Sequence, residues 1–543
     1  MFSLVLLGAA WNVWRRHRRR RTTPVATLLA HWRSTLRLTP LVLTRVCEAL
    51  LDDFSRGLDD DDQDLHMLPS FIPATLTGSE TGVYYGIDLG GTNWRVVRAM
   101  LHGHHRLTTT IASGDIPRAL YVTSIDQLFT FLASQLRPFV QDPTAAINVG
   151  FSFSFPTTLR GSPREAFVMY WTKGFQITGG EDESVAVVLE RALRAVGLTR
   201  AHVPAVVNDA LAPLLYAQYT TSRTRIQNTK KKQSLIFAGA IFGTGTNLSL
   251  VEDGSRIPKL AAWRHVPGYV PGPQLINTEW SNARRELPTI PEDERLDAIS
   301  DRPGMGQFEK RIGGLALGKL TALLLNSYRR ALVESGLGSG SGSESESGWR
   351  EGRDNTTGTW TLTTRDVEFL ATRDTVAETA RGDHDDDCVH LDHCRQVHRL
   401  LVDVLGWPTA LVSQPAVRRD VREIAALVLY RAGQLAGAGV AAAWRYTSRT
   451  SFDTSASIES TSDTAPGEGL DGPRGADGGS RPTVGVDGSL VLGSVTFRRG
   501  LRDAVVTLMG ESGRRLRLCA TPNASVVGSA LAAAALVGGV GND

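Results

Sequence analysis

Apolar residues recur every three or four positions along several long stretches, and this spacing predicts amphipathic helices. The first stretch covers residues 25–58, where the apolar positions at helical spacing are Leu28, Leu29, Trp32, Leu36 and Leu43. Further helices are predicted over residues 124–139, 184–196, 210–219, 308–335, 395–404, 417–445 and 526–538.

Shorter apolar runs that end in Gly, Asn or Asp lie between these helices and predict strands. They cover residues 83–91, 94–101, 147–155, 203–209, 234–246 and 484–490. The first two are close enough to form a hairpin. Because strands alternate with helices and include hairpins, the pattern predicts an α/β fold.

Two low-complexity inserts interrupt this pattern, at about residues 336–356 and 447–481. The first contains the Gly/Ser/Glu run GSGSGSESESG, and the second is polar, rich in glycine and nearly free of large apolar side chains. Neither can bury enough apolar surface to form a core, so we expect a linker and a disordered loop.

The composition is that of a soluble globular protein: 543 residues, 42% apolar and 21% charged. This length allows two domains, each with its own core. Four cysteines are too few for a disulfide framework, which favours a reducing compartment.

The charge is unevenly distributed along the chain. Nine arginines and no acidic residue precede Glu48, and the rest of the chain has 50 basic and 56 acidic residues. The body is therefore mildly acidic, which argues against nucleic-acid binding.

The head of the chain, residues 1–21, combines the apolar run MFSLVLLGAAWNVW with the basic run RRHRRRR. The apolar run is shorter than the ~20 residues that a membrane-spanning helix needs. A shallow membrane anchor, an organelle-targeting sequence and a disordered tail remain open. The first two are favoured, because arginines beside a Trp-containing apolar run suit an anionic surface. We expect a cytoplasmic protein that this segment attaches to a membrane, such as the mitochondrial outer membrane, or directs to another organelle.

Two predicted strands run into glycine turns of the kind that bind phosphate. Without side chains, such turns let backbone N–H groups approach an anion closely. The string IDLGGTNWR supplies Asp88, Gly90, Gly91, Thr92, Asn93 and Arg95, and IFGTGTN supplies Thr244, Gly245 and Thr246. Ordinary hairpin turns are the alternative for each alone. Together they predict a nucleotide held between two domains.

A second group of polar residues has the side chains that recognise sugar hydroxyls, namely carboxylate and amide acceptors with amide donors. Its members are Asn208, Asp209, Asn247, Glu279 and Glu309. Asn208–Asp209 ends an apolar strand, where α/β domains place ligands, although a helix cap is the favoured explanation for this pair taken alone. Ser154, Thr172 and Lys173 lie in the aromatic segments FSFSFP and WTKGF. A lone lysine there is more often only a solvated surface cation.

In this order the strings resemble the hexokinase family, in its eukaryotic hexokinase–glucokinase branch. The matches are the phosphate motif DLGGTN with Arg95, FSFP with Ser154 and Pro156, TKGF, VND, GTGTN, and the glutamates Glu279 and Glu309. Farther on, residues 431–444 resemble the late helix of the family, and residues 484–490 resemble its late phosphate strand. The resemblance extends from about residue 30 to the C-terminus, apart from the inserts.

The resemblance implies two RNase H-like domains of the actin-like ATPase superfamily, one small and one large, closing over a sugar and ATP cleft. Residues 24–222 would form mostly the small domain, and residues 223–543 the large domain with a final helix returning to the small one. The implied activity is ATP-dependent phosphorylation of the 6-hydroxyl of glucose and related hexoses, the first step of glycolysis.

In family terms, Asp209 and Lys173 would be the catalytic residues, with Asp209 as the general base. Lys173 and Thr172 would hold the sugar and the transferring phosphate. The other implied sugar contacts are Ser154, Thr172, Asn208, Asn247, Glu279 and Glu309. Asp88 and the glycine turns, with Asp487, Gly488, Ser489 and Ser525, would bind ATP. Magnesium would be bound through ATP and not by a protein metal site.

The sequence departs from the family pattern at three places. Residues 210–212 read ALA in place of Thr-Val-Gly, Ser281 replaces a glycine, and residues 524–528 read ASVVG in place of Gly-Ser-Gly-Lys-Gly. The last change leaves a second hypothesis, a glucose-binding sensor with little turnover. An actin- or chaperone-type ATPase is a third and weaker hypothesis, because such a protein has no use for Glu279 and Glu309.

The His, Cys and Asp residues of 384–394 fit no standard zinc site, so a polar loop is favoured there.

Overall fold

The computed structural model describes residues 23–73, 76–221, 235–265, 269, 271–336, 362–372, 395–450 and 481–537. The head of the chain, the stretch 384–394 and nearly all of both predicted inserts lie outside these ranges. The predictions of an anchor or targeting segment, of a polar loop at residues 384–394, of a linker and of a disordered loop therefore remain predictions.

Two mixed sheets form the framework of the protein. The larger sheet has the strand order β1-β13-β12-β11-β14-β15, and the smaller has the order β10-β6-β2-β3-β4. The strands are β1 Leu68–Pro73, β2 Thr81–Leu89, β3 Asn93–His102, β4 Leu107–Asp115, β5 Val122–Ser124, β6 Ile147–Phe153, β7 Thr157–Leu159, β8 Ala166–Val168, β9 Gln176–Thr178, β10 Ala201–Val207, β11 Leu235–Phe242, β12 Thr246–Asp253, β13 Pro273–Asn277, β14 Pro482–Asp487 and β15 Arg517–Ala520.

Helices cover both sheets, as an α/β fold requires. They are α1 Pro24–Leu36, α2 Pro40–Asp59, α3 Ile125–Leu136, α4 Val185–Ala195, α5 Ala212–Thr220, α6 Pro291–Ala298, α7 Glu309–Ile312, α8 Gly314–Glu334, α9 Thr364–Ala371, α10 Thr409–Val412, α11 Pro415–Thr450, α12 Ser489–Gly493, α13 Val495–Met509, α14 Glu511–Arg514 and α15 Ala524–Val537. A π-helix, Leu400–Val404, lies before α10.

The smaller sheet is built by residues 81–207 and carries a core on each face. Helices α3 and α4 pack with its aromatic strand β6 on one side, around Phe129, Phe151 and Phe153. Helix α15, from the end of the chain, packs with α5 against the other side. The last helix of the chain is therefore part of the smaller unit.

The larger sheet packs against α11, the longest helix in the described part of the chain. An 18-residue apolar window of this helix has the hydropathy of a membrane span, but 89% of the window is buried inside the fold. This burial is typical of a core helix. Helices α1 and α2 also pack on α11, and β1 pairs with β13. Residues 24–73 thus lie with the larger unit, although they were assigned by sequence to a region that is mostly the small domain.

Backbone breaks divide two helices that the sequence predicted as continuous. The stretch 25–58 is interrupted at residues 37–39, where Thr39 caps a second helix that starts at Pro40. Proline has no N–H to continue a helix and disfavours helical geometry in the residue before it. The stretch 308–335 divides at Gly313 into α7 and α8. The predicted strand 484–490 ends at Asp487, and α12 follows.

Candidate active site

Asp209 lies at the end of β10, where the chain turns into a short 3₁₀-helix, Asp209–Leu211. The side chain of Asn208 caps this turn by accepting a hydrogen bond from the Ala210 N–H at 2.9 Å. The capping explanation therefore holds for Asn208. Asp209 makes a different contact: the Ser154 hydroxyl donates to its Oδ2 at 3.1 Å. The cap fixes the backbone, and the Asp209 carboxylate faces the FSFSFP segment.

Lys173 comes to the same place from a separate loop. Its Nζ donates to the Ser154 carbonyl oxygen at 2.6 Å and lies 5.0 Å from the centre of the Phe155 ring. The backbone of Lys173 is left-handed, with φ 59°, and Gly174 follows with φ 84°. The turn is closed by a hydrogen bond from Phe175 N to the Thr172 carbonyl at 3.1 Å. Ser154 thus holds the base candidate through its hydroxyl and the cation candidate through its carbonyl.

Glu279 is held by two asparagine amides on neighbouring strands. Asn247 Nδ2 and Asn277 Nδ2 both donate to its Oε1, at 3.0 and 2.7 Å. The backbone of Glu279 is left-handed, with φ 53°. The two amides fix one carboxylate oxygen and leave Oε2 uninvolved in these bonds. Asn277 was not among the residues predicted from the sequence, although its position two residues before Glu279, at the end of an apolar strand, was a readable signal.

Glu309 begins α7 and reaches the second glycine turn. The backbone N–H of Thr246 donates to its Oε2 at 2.9 Å. A Cβ at Gly245 would overlap the same carboxylate oxygen, so only glycine leaves room for this contact. Phe308 packs against Trp280 with ring centres 5.3 Å apart, which ties the turns that carry the two glutamates together.

The carboxylates of Glu279 and Glu309 share one electrostatic environment with Asp209. Burial raises the pKa of Glu279 above its ordinary value, and the negative charge of Asp209 adds to this rise. Burial also raises the pKa of Glu309, with further contributions from Glu279 and Asp209, while Lys173 opposes the shift. The structure therefore brings four predicted sugar residues, Asp209, Glu279, Glu309 and Lys173, to one place. Among them, Lys173 supplies the positive charge that acts on Glu309.

The first glycine turn joins β2 to β3. Gly90 N donates to the Asn93 carbonyl at 3.0 Å, and Asn93 Nδ2 donates to Asp115 at 2.7 Å. The Thr92 hydroxyl also bonds Asn93, at 2.7 Å. A Cβ at Gly91 would lie 2.8 Å from the Lys173 side chain, so the glycine lets Lys173 lie over this turn.

Asp88 is buried beside this turn and forms an ion pair with Arg95, with 2.8 Å between Oδ2 and Nη1. Burial raises the pKa of Asp88 despite this pairing. Arg95 also acts electrostatically on Asp487, which ends β14 of the larger sheet. The Arg95 cation is therefore close enough to act on carboxylates of both sheets.

The second glycine turn and the end of β14 lie side by side. Gly488 has φ 109°, and a Cβ there would overlap the Phe242 carbonyl next to Gly243. Leu315 N donates to the Thr244 carbonyl at 3.1 Å. These contacts form a cradle of close backbone from the two turns, and glycine turns of this kind suit the binding of a phosphate.

The C-terminal helix adjoins the cradle. Asp487 accepts hydrogen bonds from Gly488 N at 2.7 Å and from Ala524 N at 3.0 Å, and its pKa is raised by burial. Ser489 is exposed at the start of α12, and Ser525 is half-buried in the first turn of α15. Val526 and Val527 replace the family's Gly and Lys, and both are buried in the core. These residues pack the start of α15 into the core, and none of them has a cationic side chain that could contact a nucleotide.

Comparison with known proteins identifies the family. The sequence models of the hexokinase family match residues 29–219 and 237–535. A relative from Oryza sativa subsp. japonica named hexokinase-4, chloroplastic, is 30% identical over 95% of this chain and 89% of its own length. The chain belongs to the hexokinase family.

Other hexokinases support this membership. Hexokinase-1 of Schizosaccharomyces pombe is 33% identical over 54% of this chain and 59% of its own length. A crystal structure of a hexokinase superposes with a TM-score of 0.69 at 26% identity, covering 94% of this chain and 99% of its own. The Schistosoma mansoni hexokinase, solved in complex with glucose, gives a TM-score of 0.64 at 25% identity, with the same coverage. The predicted family, two-domain α/β fold and class of enzyme, a hexokinase, are confirmed.

Replacing Asn277 with leucine is expected to weaken sugar binding by this hexokinase. The variant removes one of the two amides that hold Glu279, and a hydrogen bond to a charged group is worth about 1.5–3 kcal/mol. We expect KM for glucose to rise at least tenfold in steady-state assays, with KM for ATP changed little. Asn148→Leu, a half-buried asparagine on β6, is the control. An unchanged KM for glucose in Asn277→Leu would remove Asn277 from the site.

Proposed function

We propose that the enzyme transfers the terminal phosphoryl group of ATP to the 6-hydroxyl of glucose and related hexoses, through the residues assembled in the cleft. The observation that carries this assignment is the arrangement around Ser154. Its hydroxyl binds the Asp209 carboxylate, and its carbonyl binds the Lys173 ammonium. The negative charge of Asp209 is close enough to Glu279 and Glu309 to raise the pKa of both carboxyls.

Asp209 is the proposed general base. A carboxylate within hydrogen-bond reach of the 6-hydroxyl can accept its proton as the new bond to phosphorus forms. The Ser154 hydroxyl donates to one carboxylate oxygen and so orients the group. Because a bound carboxylate is held in one rotamer, the attacking oxygen is positioned as well as deprotonated.

Glu279, Glu309 and Asn247 are the proposed contacts to the other hydroxyls of the sugar, with Ser154, Thr172 and Asn208 around the 6-hydroxyl. A carboxylate accepts hydrogen bonds from two vicinal hydroxyls, which gives a planar, directional contact. The two asparagine amides hold Glu279 before any sugar enters. Such preorganisation lowers the entropy lost on binding.

The donor side of the cleft is proposed to comprise Asp88, Gly90, Gly91, Thr92, Asn93, Arg95, Thr244, Gly245, Thr246, Asp487, Gly488, Ser489 and Ser525. The glycine turns offer backbone to the phosphates, and Lys173 and Arg95 offer positive charge that offsets the charge of the transferring group. Magnesium, bound through ATP, would neutralise the phosphate oxygens further. The carboxylates on this side that would face it are Asp88, which is buried, and Asp487, which is half-buried.

The test is a steady-state assay of the purified full chain with ATP, magnesium and a series of hexoses. We expect ADP and hexose 6-phosphate to form in equal amounts. We also expect 6-deoxyglucose to bind competitively without being phosphorylated, because it lacks the attacking oxygen. Glucose binding without turnover would instead support the sensor hypothesis. Phosphorylation of 6-deoxyglucose would contradict attack by the 6-hydroxyl.

Residues 1–21 are proposed to direct the protein to an organelle or a membrane surface. Relatives from Oryza sativa and Nicotiana tabacum are named chloroplastic, which is compatible with organelle delivery. Each of the six arginines in this segment can contribute about 1 kcal/mol at an anionic surface.

Removal of residues 1–21 is expected to leave kcat and both KM values unchanged and to release the protein into the cytosol. The reason is that the site is built from residues 88–525, far along the chain from the segment. Fluorescent fusions of the full and the shortened chain give the measurement. Identical diffuse distributions of the two fusions would show that the segment has no targeting role.

A further inference from the structure

Arg311 lies two residues after Glu309 on the short helix α7, and only 5% of its surface is exposed. Burial of a guanidinium costs free energy unless its N–H groups find acceptors. The proposed function gives Arg311 no part, since its side chain makes no bond to the residues assigned to sugar or nucleotide. Its place in the fold therefore needs a separate explanation.

The guanidinium of Arg311 closes the turn that carries Glu309. Its Nη1 donates to the backbone carbonyl of Gln307 at 2.8 Å and to the Gln307 side-chain oxygen at 3.0 Å. The side chain thus returns to the chain two residues before Glu309. A backbone bond from Gly313 N to the Glu309 carbonyl, at 2.6 Å, closes the other side of the turn.

The remaining N–H groups of Arg311 attach this turn to the segment before α6. Its Nε donates to the Pro288 carbonyl at 3.2 Å, and its Nη2 donates to the Thr289 hydroxyl at 2.8 Å. The donors of a guanidinium have a fixed planar geometry, so four acceptors on three residues define its position closely. A lysine has the charge but not this geometry.

Arg431 of the core helix α11 anchors the same segment from the opposite side. Its Nη2 donates to the Pro288 carbonyl at 2.7 Å, and the Pro288 oxygen therefore serves both arginines. Arg431 also forms a bidentate ion pair with Asp293, at 3.1 and 2.6 Å, and both side chains are almost fully buried. A continuous set of bonds thus runs from the core helix through Pro288 and Arg311 to Gln307, which lies two residues before Glu309 in the chain.

From these contacts we infer that Arg311 is a positioning residue for sugar binding, which holds Glu309 against the second glycine turn without touching the substrate. This inference rests on the proposed contact between Glu309 and the sugar. The contact to be kept is a close one, because the Glu309 Oε2 accepts from Thr246 N at 2.9 Å and lies where a Cβ on Gly245 would meet it. A shift of about 1 Å in a positioning group can lower a rate or an affinity by about 100-fold.

The experiment compares Arg311→Met and Arg311→Lys in the full-length enzyme. Calorimetric titration with glucose in the absence of ATP gives Kd, steady-state kinetics give kcat and both KM values, and thermal unfolding gives Tm. We expect glucose Kd and KM to rise about 10- to 100-fold in Arg311→Met, and KM for ATP to stay within about threefold. Arg311→Lys should recover little of the affinity, because it restores the charge and not the planar donors.

Arg164→Lys is the matched control for a loss of stability alone. Arg164 is a partly buried guanidinium that binds Glu190 and the Val203 carbonyl in the smaller sheet's unit. We expect its Tm to fall while its glucose Kd stays unchanged. If the Arg311 variants behave in the same way as Arg164→Lys, with a lower Tm and an unaltered glucose Kd, the positioning role is wrong. If Arg311→Met does not fold, Thr289→Val replaces it in the experiment, because this variant removes a single hydrogen-bond acceptor of Arg311.

Glu309→Gln, alone and with Arg311→Lys, separates this inference from the proposed function. If Glu309→Gln weakens glucose binding and Arg311→Lys adds nothing further, Arg311 acts through Glu309 as inferred. If Glu309→Gln weakens binding and the effect of Arg311→Lys is fully additive, the inference fails and the sugar contact stands. If Glu309→Gln binds glucose normally, the proposed sugar contact fails, and the inference fails with it.

Discussion

Replacing Asp209 with alanine is expected to lower kcat by about 10²–10⁴-fold, the usual contribution of a positioned general base. Sugar binding should weaken far less, because Glu279, Glu309 and Asn247 remain in place. Rapid-quench or steady-state assays give kcat, and calorimetric titration gives glucose Kd. The two measurements separate a lost base from a lost substrate contact.

Asp142→Ala is the control for this variant, since the hydrogen bonds of Asp142 within the described part of the chain go to neighbouring residues at the surface of the smaller unit, Thr144 among them. Its kcat should equal that of the unmodified enzyme. Turnover of Asp209→Ala within tenfold of the unmodified enzyme would remove Asp209 from the role of base. The Ser154 contact would then be explained as a purely structural bond.

Replacing Gly150 with alanine is expected to destabilise the enzyme strongly. Gly150 lies in β6, and a Cβ there would overlap the backbone carbonyl of Ser529 on α15. The obstacle is backbone, so helix and sheet must move apart, and overpacking of this kind costs about 1–3 kcal/mol or more. We expect a lower midpoint of thermal unfolding. KM for ATP should rise as well, because α15 starts at Ala524, which bonds Asp487 at the proposed donor side.

Gly493→Ala is the matched control, because Gly493 ends α12 with no atom near its would-be Cβ and no left-handed backbone. Alanine favours helix over glycine by about 1 kcal/mol, so this variant should unfold at the same temperature or a higher one. Equal unfolding temperatures for Gly150→Ala and the unmodified enzyme would show that the helix can shift freely. The close packing of α15 would then not limit stability.

Secondary structure and fold class were readable from the sequence where local pattern and tertiary context agree. The aromatic strand β6 and the hairpin of β2 and β3 fall within two residues of the predicted ranges. The errors include the helix breaks at Pro40 and Gly313, where an apolar pattern continues but the backbone cannot, and the predicted strand 484–490, which ends at Asp487. Periodicity reports which face is buried and does not report where the chain changes direction.

Membership of the family and its activity were also readable, because the glycine turns, the VND string and the two glutamates occur as short uninterrupted strings. The sequence does not show which atoms meet. Ser154 contacts both Asp209, which lies 55 residues away along the chain, and Lys173, which lies 19 residues away. The same holds for Asn277 with Glu279 and Asn247, where two strands must pair before the amides converge.

The sequence by itself determined the hexokinase family, the α/β class and the chemistry of the candidate residues, because each depends on residue types over a few neighbouring positions. Only the tertiary structure decided that residues 24–73 lie with the larger sheet and that α15 packs on the smaller one. It also decided that Val526 and Val527 are core residues, and that Arg311 and Arg431 meet at the Pro288 carbonyl. The physical reason is that these features arise from contacts between segments far apart in the chain, which local patterns of polarity do not encode.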